Sequence, residues 1–164
     1  MDNTALDNLS GPGKALKPEA PDEAELTGLI RTGTARLHDA HNAALSLESQ
    51  FDLAYNAAHA LCLAALRRKG YRPSNRFIVF QVLPHTLGLG PEVWRVLDKC
   101  HNTRNLGEYE GMLDVNARLV ADLITATQHV LDALNAQPAD VTYHSSISIR
   151  DNYNEGDMAK GEQH

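Results

Sequence analysis

The sequence predicts an all-α fold, an antiparallel bundle of four main helices plus a short one. Two observations carry this. Ala and Leu dominate the apolar residues while aromatics make up only 5% of the chain, a bias toward helices over a β-sandwich. Apolar residues also recur three and four apart through successive segments that Gly, Pro or Asn separate. At 164 residues the chain is long enough for one domain with a real core. Three stretches are expected: a disordered arm over 1–20, the helical domain over 21–136 and a polar tail over 137–164.

The arm is rich in Gly, Pro, Asn and Asp, and Gly11-Pro12-Gly13 breaks any regular element. A first helix is expected from Pro21-Asp22, with acids in its first turn. Leu26, Leu29, Ile30, Leu37, Ala40, Ala44 and Leu45 line its apolar face, and Gly33 marks a place where a neighbouring helix comes close. The second helix runs from Leu47 to Lys69, with Phe51, Ala54, Tyr55, Ala58, Leu61, Cys62, Ala65 and Leu66 on one face. Its basic last turn, Arg67-Arg68-Lys69, and the following Gly70 are stop signals.

Residues 70–75 read as a loop. Over 77–87 the β-branched residues suggest a strand, whereas the spacing of Phe77, Phe80, Leu83 and Leu87 suggests a short helix. The helix is preferred, with Pro84 kinking or breaking it. Gly88-Leu89-Gly90 is a turn, and Pro91 suits the first position of a third helix to Asn105. A break follows near Gly107 to Gly111. Asp114 is the expected cap of a last long helix to Asn135. In the tail, Ser146-Ile147-Ser148-Ile149 alternates like a short strand.

Several classes are disfavoured. No apolar run reaches the length of a membrane span. The first residues lack the basic and apolar regions of a signal peptide. Cys62 and Cys100 sit in apolar helical contexts and read as buried thiols, so a cytoplasmic protein is expected. Net charge is −6, yet eight basic residues against two acids lie between Arg67 and Arg104, leaving about −12 on the remainder. Such a strip suits a phosphate-bearing ligand, and its Arg and Lys residues equally suit helix C-termini.

The chemistry-bearing segment is Trp94 to Gly111. An apolar stripe of Val93, Val96, Leu97 and Cys100 runs into His101, Arg104, Asn105, Glu108 and Tyr109. In one reading this is a ligand site. In the other it is a helix-end cluster, with Arg104 paired to Glu108 or Asp52 and Asn105 on the last carbonyls. His38 and His41 flank Asp39 on the first helix, but no second set of ligands accompanies them, and a solvated face is expected. His59 is expected to be a hydrogen-bonded interior or interface residue. No Gly-rich phosphate loop, Ser/His/Asp arrangement or CxxC motif appears, so neither metal nor cofactor is expected.

Over about residues 26–135 the chain resembles the HEPN family, compact helical domains that often cut or bind RNA. The likeness rests on three places. They are Phe51 to Ala58 leading to Gly70-Tyr71-Arg72, the apolar short helix ending at Leu87-Gly88-Leu89, and Arg104-Asn105-Leu106-Gly107-Glu108-Tyr109 before a long final helix. In nuclease members an Arg and a polar residue precede a His, which here falls in the window 109–111. Arg suits the phosphorane charge and His the proton transfers of metal-free RNA cleavage. Arg104 and Asn105 match the first two positions, but the window holds Tyr109, Glu110 and Gly111.

The resemblance therefore implies first a module that binds RNA, a nucleotide or a partner protein in a toxin–antitoxin or defence-type system, without the usual nuclease activity. Arg104, Asn105, Glu108, Tyr109 and Asp52 would form its ligand site. Next comes a helical partner subunit of a nucleotidyltransferase. Last is a metal-independent, toxin-type ribonuclease using Arg104 with His101 or Tyr109. HEPN nucleases act as dimers, and the apolar residues of 77–83 and 93–97 exceed what four helices hide, so a homodimer is expected.

Overall fold

The computed structural model describes residues 3–111 and 113–137. Helices dominate it, as the all-α class requires. Asp22 opens the first long helix, α2 (Glu23–Ala40), by accepting from the backbone N–H groups of Ala24 and Glu25. Ser46 caps α3 (Leu47–Arg68) through the N–H of Ser49. Pro91 begins α6 (Pro91–Glu110), where its missing N–H costs nothing. Asn116 caps α7 (Ala117–Ala136) through the N–H of Leu119.

α3 is the hub. α2 and α7 pack along it, and α6 packs on both α7 and α3. Ala57, Ala58, Leu61, Cys62, Ala65 and Leu66 of α3 are all buried. Its alanines let neighbours approach. The closest approach is at Gly33 of α2, where a Cβ would stand 2.7 Å from Leu61 Cγ and 3.3 Å from the Ala57 carbonyl oxygen. Cys62 and Cys100 are fully buried free thiols, as expected. Burial pushes the Cys62 thiol far up and that of Cys100 to about 12.

The stretch 77–87 is helical, and the break anticipated at Pro84 divides it. α4 (Ile78–Gln81) and α5 (Leu83–Thr86) are single turns, with Pro84 in the first turn of α5. Asn75 Oδ1 begins α4 by accepting from the N–H groups of Phe77 and Ile78.

Some boundaries differ from the expected ones. α2 stops at Ala40, leaving Ala44 exposed. α6 runs through Gly107 and ends at Gly111, whose φ of 73° is the left-handed stop. Gly107 is a close approach instead of a break, for a Cβ there would lie 2.8 Å from Leu113 Cδ1. The last helix is capped by Asn116, not Asp114. The Ser146 to Ile149 alternation and the rest of the tail beyond Gln137 lie outside the described residues.

The largest correction concerns the expected disordered arm. Its described part, residues 3–20, is folded. It holds α1 (Thr4–Asn8) and β1 (Leu16–Pro18), which pairs antiparallel with β2 (Tyr71–Pro73) in the register Leu16 to Pro73 and Pro18 to Tyr71. Leu6 and Leu16 are fully buried, and the Tyr71 hydroxyl donates to the Asp7 carboxylate. The physical reason lies at the end of α3. Arg67 is 1% exposed, and a buried guanidinium must have all its N–H groups satisfied. It donates to the carbonyl oxygens of Glu19 (2.9 Å), Ala20 (2.8 Å) and Tyr71 (3.2 Å). It also pairs with Glu25 at 2.5 Å and Glu19 at 3.1 Å. Arg72 closes the group, 2.6 Å from Glu19 and 2.9 Å from Glu25. These two arginines hold the Glu25 carboxyl below its ordinary range.

Arg67→Met removes the central cation, leaves the carbonyl oxygens of Glu19, Ala20 and Tyr71 without its N–H groups, and leaves Glu19 and Glu25 with Arg72 alone. The expected loss is about 2–4 kcal/mol of stability, reduced from a fully buried pair because both carboxylates reach solvent. Urea unfolding measures it, and limited proteolysis should cut first within residues 8–20.

Candidate functional site

The polar cluster foreseen at the end of α6 is assembled by helical spacing. His101, Arg104, Asn105 and Glu108 recur at intervals of three and four and share one face. That face meets Tyr55 and His59, one turn apart on α3, and the Arg76-Phe77 pair that leads into α4. Beside this group lies a shallow recess of about 370 Å³ lined by Asn75, Arg76, Phe77, His101 and Asn102.

His101 is held on both sides. Its Nδ1 lies 2.7 Å from the Tyr55 hydroxyl oxygen and its Nε2 lies 3.0 Å from Asn105 Nδ2. With the Asn105 amide donating to Nε2, Nδ1 carries the proton and donates to Tyr55; turning the amide reverses both bonds. In either form neither ring nitrogen is free. Partial burial, and the nearby Arg76 and Arg104 charges, keep the imidazole's pKa below its ordinary value against the opposing pull of Asp98 and Glu108. The ring is therefore neutral at neutral pH. It stacks on Phe77 at 4.9 Å between centroids.

Two guanidinium groups bracket the same aromatic row. Arg104 stands 4.7 Å from the centroid of the Tyr55 ring and Arg76 stands 5.9 Å from it. Burial raises the Tyr55 phenol pKa, so the ring stays a neutral platform. Of the two carboxylates anticipated for Arg104, Glu108 is the partner, at 3.5 Å and with a side chain 68% exposed. Asp52 is exposed, and its carboxylate has no polar partner among the described residues; its backbone carbonyl accepts from Asn56. The side chain of Tyr109 lies outside the described residues.

Tyr55, Arg76 and Phe77 belong to the cluster and were not foreseen. Tyr55 reads in sequence as one more member of an apolar face. Its i, i+4 relation to His59 on a helix otherwise built of Ala and Leu was the available signal. His59 departs from expectation. Its Nε2 is buried with no hydrogen-bond partner among the described residues, and its ring meets the Phe80 edge at 6.2 Å. Desolvation first, then the charges of Arg76 and Arg104 and the His101 ring, lower its pKa to about 4. His38 and His41 are exposed. Among the described residues there is no group of three or more potential metal ligands and no helix long and apolar enough to cross a membrane.

Comparison of the chain with protein-family models, with curated proteins and with solved structures finds no match.

The cluster thus offers two fixed cations, a stacked aromatic pair at the floor of a recess, and imidazoles kept neutral by their surroundings. That combination suits an anion attached to a planar ring.

The neutral His59 has a consequence for stability. Its folded pKa of about 4 lies below the ordinary 6.5, so between those values the unfolded chain binds a proton that the folded chain excludes. Stability is complete above about pH 6.5 and falls as pH drops toward 4, by about 1–2 kcal/mol between pH 7 and pH 5. The lowered pKa of His101 acts in the same direction. In urea melts over that range His59→Leu should show a shallower dependence on pH than the parent protein. Equal slopes would refute the assignment.

Proposed function

We propose that this chain is a HEPN-like module that binds RNA or a nucleotide at the recess lined by Arg76, Phe77 and His101, with Arg104 beside it, and does not cleave it. The observation that carries the reading is the state of His101. Both ring nitrogens are engaged, by Tyr55 and by Asn105, beside two arginines. A general base needs an unshared nitrogen within reach of the proton that it takes. An imidazole fixed at both edges and stacked on Phe77 forms part of an aromatic surface, and such a surface stacks on a base.

The roles then follow from residue type. Phe77 and His101 supply the stacking surface. Arg76 and Arg104 pair with phosphate, Arg104 retaining a loose partner in Glu108. Asn105 keeps His101 in place, and Asn102 at the rim offers an exposed amide to a base edge. The absence of His from the window 109–111 agrees with binding in place of cleavage. The same resemblance supports a toxin–antitoxin or defence-type setting and a homodimer, and Leu106, 60% exposed beside the site on α6, is an apolar contact for a second copy.

A labelled single-stranded RNA pool, titrated with protein in fluorescence anisotropy without divalent metal, tests the proposal. The parent protein should bind and leave the RNA intact. Arg104→Ala should weaken binding on the order of tenfold and lower the slope of log affinity against log salt by about 0.7. RNA shortened by the parent protein but not by Arg104→Ala would transfer the assignment to a ribonuclease using His101. No affinity for RNA or nucleotide would leave the nucleotidyltransferase-partner reading in its place.

A further inference from the structure

We infer that the recess is built for a terminal phosphate monoester, carried by a free nucleotide or by the end of an RNA strand, and not for an internal phosphodiester. The inference rests on the binding function proposed above and narrows its ligand.

Charge is the first argument. Arg76 and Arg104 face one ring from 5.9 and 4.7 Å, and the only carboxylate paired with either, among the described residues, is the exposed Glu108 at 3.5 Å. Arg76 otherwise has, among the described residues, a hydrogen bond to the Asn56 side-chain oxygen at 3.5 Å. The contrast lies at the C-terminal end of α3, where Arg67 and the nearby Arg72 share two carboxylates at 2.5 to 3.1 Å. There the protein supplies the counter-charge itself. Around Tyr55, beside the recess, the described residues leave most of two positive charges uncompensated. A phosphodiester carries one negative charge, whereas a monoester carries about 1.5 to 2 at neutral pH and adds a third strongly accepting oxygen.

Shape is the second argument. A strand bound along its length needs a groove that tracks successive phosphates. Here the recess of about 370 Å³ is bordered by five residues from two short stretches, 75–77 and 101–102. It is near the lower end of the range for small-molecule sites. One base on Phe77 and one phosphate at Arg76 fill such a space, with Arg104 beside it on the Tyr55 ring.

The test uses the full chain and one RNA hexamer pool in three forms: 5′-phosphorylated, 3′-phosphorylated and hydroxyl at both ends. A mixture of the four nucleoside 5′-monophosphates, or of the four nucleosides, serves as competitor. The expected result is binding of at least one phosphorylated form on the order of tenfold tighter than the hydroxyl form. That difference should disappear in Arg76→Ala and in Arg104→Ala. Arg76 is exposed, so its variant keeps the fold. Displacement by the monophosphates but not by the nucleosides would identify free nucleotides as sufficient ligands. Retention of the preference without such displacement would identify the RNA end. Equal binding of all three forms, lost in Arg104→Ala, would overturn the monoester inference and leave the binding function standing. Absence of binding by any RNA or nucleotide would overturn both.

Discussion

A helix buried around most of its circumference can carry polar groups only where partners are built for them, and α3 imposes that condition on the whole molecule. Its apolar residues are mostly alanine and leucine, packed so closely by α2 that only glycine fits at position 33. The polar side chains that α3 buries must be met by neighbouring elements, and two places on the helix have different answers. Near the C-terminal end, Arg67 is satisfied from within the chain. Near the middle, Tyr55 and His59 are met by α4 and α6, and the satisfaction is incomplete. The fold follows from the first place and the candidate site from the second.

The four long helices were legible because each declares itself within its own residues. Periodic apolar positions, a basic last turn before Gly70 and Pro91 at a helix start are local signals. The arm was not legible, for its order comes from elsewhere. Gly11 and Gly13 serve tight turns with φ of 136° and 72°, and the same residues in isolation read as disorder. What docks the arm is a guanidinium from a helix 48 residues away in sequence, and no local pattern announces that contact. The same distinction divides the site. His101, Arg104, Asn105 and Glu108 lie on one face of one helix and were visible as a group. Tyr55 stands 46 residues before its partner His101, and its hydroxyl is lost within an apolar stripe when only the sequence is read.

The basic strip between Arg67 and Arg104 also changes meaning once the fold is present. In sequence it is a single excess of positive charge. In space it divides by function. Arg67 and Arg72 are structural ions saturated by Glu19 and Glu25, and Arg68 donates to the Leu134 carbonyl at the end of α7. Arg76 and Arg104 come together at Tyr55 with one loose carboxylate between them. The electrostatic field of the site is thus set by fewer residues than composition suggests, and it is stronger at one place than an even strip would be.

These two halves are joined by a short and fully tethered connection. β2 ends at Pro73, where the arm's β1 begins its pairing. Ser74 then donates its backbone N–H to Ala15 at 2.9 Å, and Asn75 spends its side-chain oxygen on the first turn of α4. Arg76 and Phe77 follow at once. The arm that Arg67 docks is therefore also the support from which Arg76 and the stacking ring are presented to His101. Its carboxylate Glu19, with Glu25 of α2, neutralises the two arginines nearest the docking point, and among the described residues no such pair reaches Arg76. The folded arm thus decides both where the recess lies and which cations of the strip remain to face a ligand.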